Sequence, residues 1–509
     1  MGGVRITRRR FLEGLGAGAL GLGVAEGIDQ WVTRAPSDAA EPDRLRRTAR
    51  YRSAPDLRPP LLDVTRASLG TAGGFLFLAP KGGPGQYGPM IADDHGQPVW
   101  FRGISGPFAG TRAERLQEAE VANNFRVSRY KGRPVLTWWQ GQVGHGASRY
   151  VVVDDRYRQI ESLRAGNGLR GDEHEFVIAP DDTALVTVTR SVPADLSPVG
   201  GPSQGTVLDG GFQRLDVATG DVLFQWMASD HVSFWESYRP IDGQGTRSAP
   251  WDFFHVNSVD VDTDGNYLVS ARHTWAVYKI DRATGAVIWR LNGKRSDFRV
   301  EPKARFSWQH DARHHGGGVL SLFDDGAGVY RSAPRSRGLI LSLDVPTMTA
   351  RVAEEYVLPG HVLSWSQGSV QTLPNGNVLV GWGSEPYVSE YTHDGRLLLS
   401  ARLPARCESY RAFRFPWTGR PLSPPAVAIE RGSGTAHVYM SWNGATSVTA
   451  WQVLGGARHE DLRPIGRARS TGFETFARVT TSPTERCFAA VALDARARVV
   501  GRSETVRRP

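Results

Sequence analysis

Apolar and polar residues alternate in short runs along the chain from about residue 60 onward. Residues 266–272 and 377–382 are two examples, in which apolar side chains occupy alternate positions. Residues typical of turns recur about every 8 to 12 positions, as they do between short strands, and long helical periods are missing. The pattern therefore predicts an all-β chain.

An aspartate-glycine turn recurs along this strand pattern. Its two clearest copies are residues 216–222 and 281–287, and each copy leads to a tryptophan. The six copies begin at Asp94, Asp154, Asp216, Asp281, Asp344 and Asp394. Successive copies are about 50 to 65 residues apart, and six similar units of that size indicate a six-bladed β-propeller, whose radial repetition protects the sheet edges. An array of β-sandwiches would give the same strand pattern and stays open as an alternative.

Two regions lie outside the repeat. Residues 31–60 are rich in Pro, Arg, Asp and Ala and are predicted to be a linker, so the propeller is expected to span residues 61–420. After Pro424 and Pro425 the period stops, although short strands and tryptophans continue. Residues 421–507 are therefore predicted to form a small fibronectin-III-like β-sandwich.

The charge balance and the glycine motifs limit the kinds of ligand. The 509 residues contain 61 Lys and Arg against 52 Asp and Glu, a net charge of +9 that is spread along the chain. This distribution favours small anionic substrates and gives no indication of nucleic-acid binding. Glycine-rich fingerprints at 16–21 and 83–88 do not lie between a strand and a crossover helix, so we expect no nucleotide cofactor.

The N-terminus resembles a twin-arginine export signal within residues 1–30. Paired arginines precede Phe11 and a weakly hydrophobic stretch rich in Gly, Ala and Leu, which is too short to span a bilayer well. An amphipathic basic helix is the alternative reading. We therefore expect the Tat machinery to export the protein to an extracytoplasmic location (secreted, cell-wall or periplasmic). There Cys407 and Cys487 could pair, but their spacing does not decide it.

Three histidines occupy equivalent positions in successive repeats. His174, His255 and His310 each open a predicted strand that runs into a turn. Equivalent positions in different blades are related by rotation about the propeller axis, so these side chains should face one central channel. Arg272 ends the strand predicted to pair with that of His255 and should return to the same mouth. Three imidazoles and a guanidinium that converge predict an anion-binding site.

Other readings of these residues stay open. A single histidine in a strand is more often a hydrogen-bonded structural residue. His314 and His315 are expected to be turn residues; a metal site with His310 would need a carboxylate at useful spacing, so no metal is predicted. The tryptophans that could either stack on an aryl ring or pack between blades are Trp275, Trp308, Trp365 and Trp382.

The motifs around these residues resemble those of the arylsulfotransferase family. The motifs are His174-Glu-Phe, Phe254-His255-Val-Asn257-Ser258, Ser270-Ala-Arg272-His273 and Gln309-His310-Asp311. The resemblance covers about residues 60 to 420 and is closest to the branch with a C-terminal sandwich. It implies an exported propeller enzyme that moves a sulfuryl group from a phenolic sulfate ester to a phenol acceptor, without a nucleotide donor or other cofactor.

The resemblance also implies roles for individual residues. His310 matches the nucleophilic histidine, which becomes transiently sulfated in a ping-pong mechanism. The residues that match those holding the sulfuryl and bridging oxygens are His174, His255 and Arg272. Asn257 matches a supporting hydrogen-bond donor, and His273 is the alternative to Arg272 because the spacing from His255 leaves the register open by one residue. A quinoprotein-like dehydrogenase and a non-catalytic binding propeller are the alternative functions, since the aspartate-glycine repeat also resembles quinone-binding blades.

Overall fold

The computed structural model describes residues 48–106, 119–143 and 148–507 of the chain. The predicted export signal and residues 31–47 of the predicted linker lie outside these ranges. Within them, no helix is long and apolar enough to cross a membrane. The helices of the described part are short 3-10 turns at Ser197–Val199, Ala228–Asp230, Phe234–Glu236, Pro302–Ala304 and His459–Asp461.

Short strands follow one another along the described chain up to residue 415. The strands are β1 (Asp63–Ala67), β2 (Phe75–Leu78), β3 (Met90–Ala92), β4 (Pro98–Phe101), β5 (Val121–Tyr130), β6 (Arg133–Gly141), β7 (Arg149–Val153), β8 (Gln159–Leu163), β9 (Arg170–Ile178), β10 (Thr183–Ala194), β11 (Gly205–Asp216), β12 (Val222–Met227), β13 (Val256–Val261), β14 (Tyr267–Ala271), β15 (Ala276–Ile280), β16 (Val287–Leu291), β17 (Arg299–Val300), β18 (His310–His314), β19 (Val319–Asp324), β20 (Arg337–Asp344), β21 (Thr349–Tyr356), β22 (Ser369–Thr372), β23 (Val378–Gly381), β24 (Tyr387–Tyr391), β25 (Leu397–Arg402) and β26 (Phe413–Phe415).

These strands form small sheets whose members are mostly consecutive in sequence. In the described residues the strand orders are β26-β2-β3-β4, β5-β6-β7-β8, β12-β11-β10-β9, β13-β14-β15-β16, β17-β21-β20-β19-β18 and β1-β25-β24-β23-β22. Pairing is antiparallel except for the two-residue β17, which pairs with β21 in parallel. The prediction of an all-β chain is confirmed.

One edge strand of each sheet contacts the edge strands of the neighbouring sheets. Among the described residues, β5, β9, β13, β18, β22 and β26 contact one another in that order, and β26 contacts β5 again. The beginning and the end of these six sheets are joined by strand pairing. The late strand β26 pairs with β2 in the first sheet, and the early strand β1 pairs with β25 in the last sheet. The edge strands of all six sheets therefore meet around one centre.

The two clearest aspartate-glycine turns each join the two strands of a sheet that lie farthest from that centre. In the turn after β11, the Asp216 carboxylate accepts the N–H groups of two following residues, and the Gly220 N–H donates to the Asp216 carbonyl at 2.9 Å. Asp281 and Gly285 make the same contacts after β15. Gly220 and Gly285 have φ of 79° and 75°, a conformation that glycine adopts without strain.

The C-terminal part of the chain forms a separate pair of sheets. Its strands are β27 (Ala426–Gly432), β28 (Thr435–Ser441), β29 (Ala450–Gly456), β30 (Arg463–Arg469), β31 (Glu474–Thr480), β32 (Cys487–Leu493), β33 (Val499–Arg502) and β34 (Val506–Arg507). The sheets have the orders β27-β28-β31 and β30-β29-β32-β33, with β34 also on β32. They bury a common core that includes Val438, Trp451 and Phe488.

This C-terminal unit contacts the first sheet and the described part of the predicted linker. The Asn443 amide exchanges hydrogen bonds of 2.9 Å with the backbone of Phe101, and the Ser53 N–H donates to Glu474 at 2.7 Å. Cys407 is buried in the core shared by the first and last of the six sheets, whereas Cys487 is buried on β32. Among the described residues, no disulfide joins the two cysteines.

Candidate active site

The three predicted histidines come together where the inner edge strands meet. His255 directly precedes β13 and His310 begins β18, as expected, whereas His174 lies in the middle of β9 and not at its start. The rings of His174 and His255 are 4.7 Å apart between centroids. Tyr410, just before β26, lies edge-on to both His174 and His310, at 5.6 and 6.4 Å. The expected convergence of the imidazoles is therefore present around the Tyr410 ring.

Each of these histidines is bound at Nδ1 by a carboxylate. Asp172 is 2.5 Å from Nδ1 of His174, Asp252 is 2.5 Å from Nδ1 of His255, and Asp325 is 2.7 Å from Nδ1 of His310. None of these three carboxylates was predicted from the sequence. An ionised carboxylate accepts at Nδ1, so a neutral imidazole beside it holds its proton there and Nε2 keeps the lone pair. Burial raises the pKa of Asp325 well above its usual value, but the Gln367 N–H donates to Nε2 of His310 and so fixes the same tautomer for that ring. All three rings thus offer Nε2 to their surroundings.

His310 has the environment of a neutral nucleophile. Its side chain and that of Asp325 are 1% and 0% exposed. Burial and the positive charge of Arg272 lower the pKa of His310 well below its usual value, so the ring is uncharged near neutral pH. Nε2 accepts the backbone N–H of Gln367 at 3.2 Å. The lone pair that would attack an electrophile is therefore present and already faces a hydrogen-bond donor.

The other two histidines are held in different charge states. Burial lowers the pKa of His174, but the Asp172 carboxylate outweighs it and the net pKa is raised above the usual value. Burial lowers the pKa of His255, and Asp252 only partly opposes this effect. His255 is also strained, with φ of 54° in a non-glycine residue, which is typical of functional sites. His174 therefore keeps its second proton to higher pH than an ordinary histidine, whereas His255 and His310 lose theirs at lower pH.

Arg272 and His273 are adjacent in the chain but lie in different surroundings. The sequence left open which of the two matches the position that holds the sulfuryl oxygens. His273 is buried, and its Nδ1 donates to the carbonyl of Asp252 at 2.6 Å. Its Nε2 then accepts from Nη1 of Arg272 at 3.2 Å. Nη2 of Arg272 donates to the carbonyl of Trp365 at 2.8 Å, and burial lowers the Arg272 pKa to about 10, so that it stays charged. His273 therefore fixes the Arg272 guanidinium, whose positive charge acts on His310.

Asn257 lies in the floor of the site. Its Nδ2 donates to the Gln309 carbonyl at 2.6 Å and so joins β13 to the residue before His310. The backbone carbonyl of Asn257 accepts a hydrogen bond from Arg411 at 2.8 Å. The Asn257 Oδ1 is buried without a hydrogen-bond partner among the described residues. Asn257 is thus beside the predicted nucleophile, with one amide hydrogen committed to the backbone.

A buried ionic network supports this floor. The fully buried Arg411 donates to Asn124 and to Glu175 at 2.9 Å each, and its Nε lies 3.3 Å from Asp311. Asp311, the residue after His310, has a left-handed φ of 56°. One guanidinium thus links four inner edge strands, because its partners include Asn257 of β13. Removing one member of such a network leaves buried charge uncompensated, which is costly.

Aromatic side chains form one wall beside Arg272. The Arg272 guanidinium lies 5.5 Å from the Trp308 ring, and Trp308 is in edge contact with Trp275 and Tyr330. Trp275 in turn stacks on Tyr238 at 3.8 Å. Nε1 of Trp308 and Nε1 of Trp275 are buried without hydrogen-bond partners in the part of the chain described. Trp308 is fully buried, so the rings of this wall that stay partly exposed near the cation are those of Tyr238, Trp275 and Tyr330.

The remaining sequence candidates lie outside the site. Trp382 is buried between sheets, where its Nε1 donates to Ser389, so it packs the core. His314 ends β18 and contacts Asp262 at 3.1 Å, and His315 is 2.8 Å from Ser321. These two histidines are therefore occupied away from His310.

Two groups of donor atoms have a spacing that a metal ion could use. They are Asp252, His255 and His273, and Asp172, Glu173 and His174. In the first group Nδ1 of His255, and in the second Nδ1 of His174, is hydrogen-bonded to its carboxylate at 2.5 Å. A metal ion at either place would have to replace this hydrogen bond.

Several residues that contact the site were missed from the sequence. They are Asp172, Asp252, Asp325, Gln367 and Tyr410. Asp172 and Asp252 lie two and three positions before their histidines, a local signal that could have found them. Asp325 lies 15 positions after His310 and meets it only through the β18–β19 pairing. Gln367 acts through its backbone, which no side-chain pattern reveals.

Comparison with protein families gives one match. The family model described as Arylsulfotransferase (ASST) matches residues 126–403, more than half of the chain. This range contains His174, His255, Arg272 and His310. No curated protein matches the chain significantly.

Solved structures show distant likenesses only. A protein of unknown function from Bacteroides caccae is 12% identical with a TM-score of 0.39, covering 68% of this chain and 100% of that chain. The calcium-binding protein regucalcin from Agrobacterium tumefaciens is 11% identical with a TM-score of 0.33, covering 65% and 85%. A virginiamycin B lyase from Staphylococcus aureus is 10% identical with a TM-score of 0.30, covering 73% and 92%. Identities and TM-scores this low assign no function to the chain.

Proposed function

The chain belongs to the arylsulfotransferase family, and from this premise we propose that it transfers a sulfuryl group from a phenolic sulfate ester to a phenol acceptor through a sulfated His310. The observation that carries the proposal is the buried, neutral His310, held by Asp325 with its Nε2 lone pair free of a proton and flanked by the Arg272 cation. A neutral imidazole is a competent nucleophile near pH 7, and covalent catalysis divides one difficult transfer into two steps.

In the first step, Nε2 of His310 attacks the sulfur of the donor. The N–S bond forms while the bond between sulfur and the aryl oxygen breaks, and the electron pair leaves with the phenoxide. His174 is suited to protonate this oxygen because its pKa is raised by Asp172. Arg272 would hold the sulfuryl oxygens, on which negative charge is spread. His255 would join it only when its ring is protonated at Nε2, because the neutral ring presents a lone pair there.

In the second step, the phenol acceptor enters after the first phenol has left. Its oxygen attacks the sulfur, its proton passes to the now neutral His174, and the N–S bond to His310 breaks. Donor and acceptor therefore use the same site in turn, which is a ping-pong mechanism. The partly exposed rings of Trp275 and Tyr330, which pack on the buried Trp308 beside Arg272, favour an aryl ring in both positions.

We further propose the finer architecture that this function needs. The six sheets whose edge strands contact in a closed order support a six-bladed β-propeller over residues 61–420. The two-sheet C-terminal unit supports a fibronectin-III-like sandwich over residues 421–507. The export signal at 1–30 and the linker at 31–60 complete this proposal, and an extracytoplasmic location follows from the signal.

A transfer assay tests the function. The purified protein is given a chromogenic aryl sulfate and a phenol acceptor without any nucleotide. We expect release of the chromogenic phenol together with formation of the sulfated acceptor, and loss of both with His310→Asn, which keeps the size of the side chain. Absence of transfer across a broad panel of aryl sulfates, or transfer that requires a nucleotide sulfate donor, would contradict the proposal.

A further inference from the structure

A cleft of about 150 Å³ lies between the first sheet and the C-terminal unit. Four aromatic side chains and one carboxylate are among the groups that line it, namely Phe75, Trp442, Trp451, Phe473 and Asp93. None of the described residues that line the cleft belongs to the site around His310. The cleft is therefore a second place that a small molecule can enter, separate from the proposed chemistry.

The aromatic walls of the cleft are held in place by the surrounding chain. The indole N–H of Trp442 donates to the Ser423 carbonyl at 2.6 Å. Phe473 packs on Tyr51 with 4.2 Å between the ring centroids. Hydrogen bonds also join the C-terminal unit to the first sheet, so the two sides of the cleft are fixed to each other. The walls therefore need little rearrangement to receive a ligand.

Asp93 places a partly buried carboxylate in this cleft. Its Oδ1 accepts the backbone N–H groups of His95 and Gln97 at 2.9 Å each. Its Oδ2 makes no hydrogen bond or ion pair with any residue in the described ranges. Burial raises the pKa of Asp93 above its usual value, because the charged carboxylate is poorly solvated there.

Two other turns of the chain show what this carboxylate lacks. Asp154 and Asp494 likewise accept the backbone N–H groups two and four residues later, at 2.9 Å each. In both of these turns the residue four positions later is an arginine, which forms an ion pair of 2.9 and 2.7 Å, respectively, with the second carboxylate oxygen. The corresponding residue after Asp93 is Gln97, which carries no charge. An external cation would therefore complete at Asp93 an ion pair that the other two turns make within the chain.

Aromatic walls around such a carboxylate favour one class of cation. A primary ammonium carries three N–H groups that each need an acceptor, whereas a quaternary ammonium carries none and is attracted by the faces of aromatic rings. We propose that the cleft between the first sheet and the C-terminal unit binds a quaternary ammonium group, held by the four aromatic rings and by Oδ2 of Asp93. This site goes beyond the proposed function and does not depend on sulfuryl transfer.

Isothermal titration calorimetry of the full chain with choline chloride tests the site, with sodium chloride as the control for ionic strength. The uncharged counterpart of choline, 3,3-dimethylbutan-1-ol, should bind at least about tenfold more weakly because it has the same shape without the charge. Choline binding should also weaken at least about tenfold in Asp93→Asn, which keeps an acceptor for the two backbone N–H groups, and in Gln97→Arg, which supplies the arginine of the other turns. Asp154→Asn is the matched control and should leave choline binding unchanged.

Phosphatidylcholine vesicles, compared with phosphatidylethanolamine vesicles, distinguish a lipid headgroup from a free quaternary ammonium compound. Failure of choline to bind the wild-type protein, equal binding of the uncharged alcohol, or undiminished choline binding by Asp93→Asn would each overturn the proposal. Binding of glucose in place of choline would assign the cleft to a sugar and overturn it as well. Sulfuryl transfer should be unchanged in Asp93→Asn, so the failure of this site and the failure of the proposed function are separate results.

Discussion

Asparagine at position 325 would remove the one carboxylate that holds the nucleophile. Asp325 Oδ2 lies 2.7 Å from Nδ1 of His310, and both side chains are almost fully buried. In Asp325→Asn, the new amide can donate to Nδ1 as readily as it accepts, which would move the imidazole proton to Nε2. The ring would then present an N–H to the sulfur where the mechanism needs a lone pair.

The size of the effect follows from this hydrogen bond. A neutral hydrogen bond contributes about 0.5–1.5 kcal/mol and one to a charged partner about 1.5–3 kcal/mol, and about 1.4 kcal/mol corresponds to a tenfold change in rate. Because burial raises the pKa of Asp325 well above its usual value, both cases set the range, and we expect Asp325→Asn to slow the sulfation of His310 by about 2- to 150-fold. The donor KM should change little, because Asp325 contacts the imidazole and not the sulfuryl oxygens.

The assay is single-turnover sulfation followed by quenched-flow mass spectrometry. Asp324→Asn is the matched control, since Asp324 is the chain neighbour but binds the Ser307 N–H and the Arg337 guanidinium outside the site. It should retain the wild-type sulfation rate even if the protein unfolds at a lower temperature. Wild-type sulfation by Asp325→Asn, or an equal loss in both variants, would refute the argument that Asp325 sets the tautomer.

Three further expectations follow from the site and the N-terminus. Burial and Arg272 lower the pKa of His310, so sulfation should persist as pH falls through 6.5, the ordinary histidine value. Arg272→Gln should raise the pKa of His310 and so move the acid limb of the pH-rate profile to higher pH. Arg272→Gln should also slow transfer by about 10²- to 10³-fold. His273→Asn only releases the Arg272 guanidinium and should chiefly raise the donor KM. A greater loss of kcat in His273→Asn than in Arg272→Gln would reverse these roles. Replacing Arg8 and Arg9 together by Lys should trap the precursor in the cytoplasm, and normal export in a cell-fractionation experiment would show that the signal was misread.

The strand pattern predicted most of what depends on local sequence. Alternation predicted strands such as β14 and β23, and the aspartate-glycine repeat located turns whose geometry depends on residues close in sequence. The convergence of His174, His255 and His310 was also predictable, since equivalent positions in repeated units lie at equivalent places around a common centre.

The parts that depend on tertiary contacts were not predictable. Asp325 reaches His310 through a pairing of strands, and Arg411 joins inner strands that are far apart in sequence. His174 lies within β9 because its strand begins earlier and shifts register against β10, a bulge that alternation cannot reveal. Gln367 contributes a backbone group, whose direction depends on a positive φ and not on its side chain.

The most direct test of the account is detection of the covalent intermediate on His310. The protein is incubated with an activated aryl sulfate and no acceptor, digested with trypsin under alkaline conditions, and examined by mass spectrometry. We expect a mass increase of one SO3 group, about 80 Da, on the peptide that spans residues 306–313, and its disappearance when a phenol acceptor is added. A label confined to His174 or His255, or transfer without any labelled histidine, would contradict the assignment of His310 as the nucleophile.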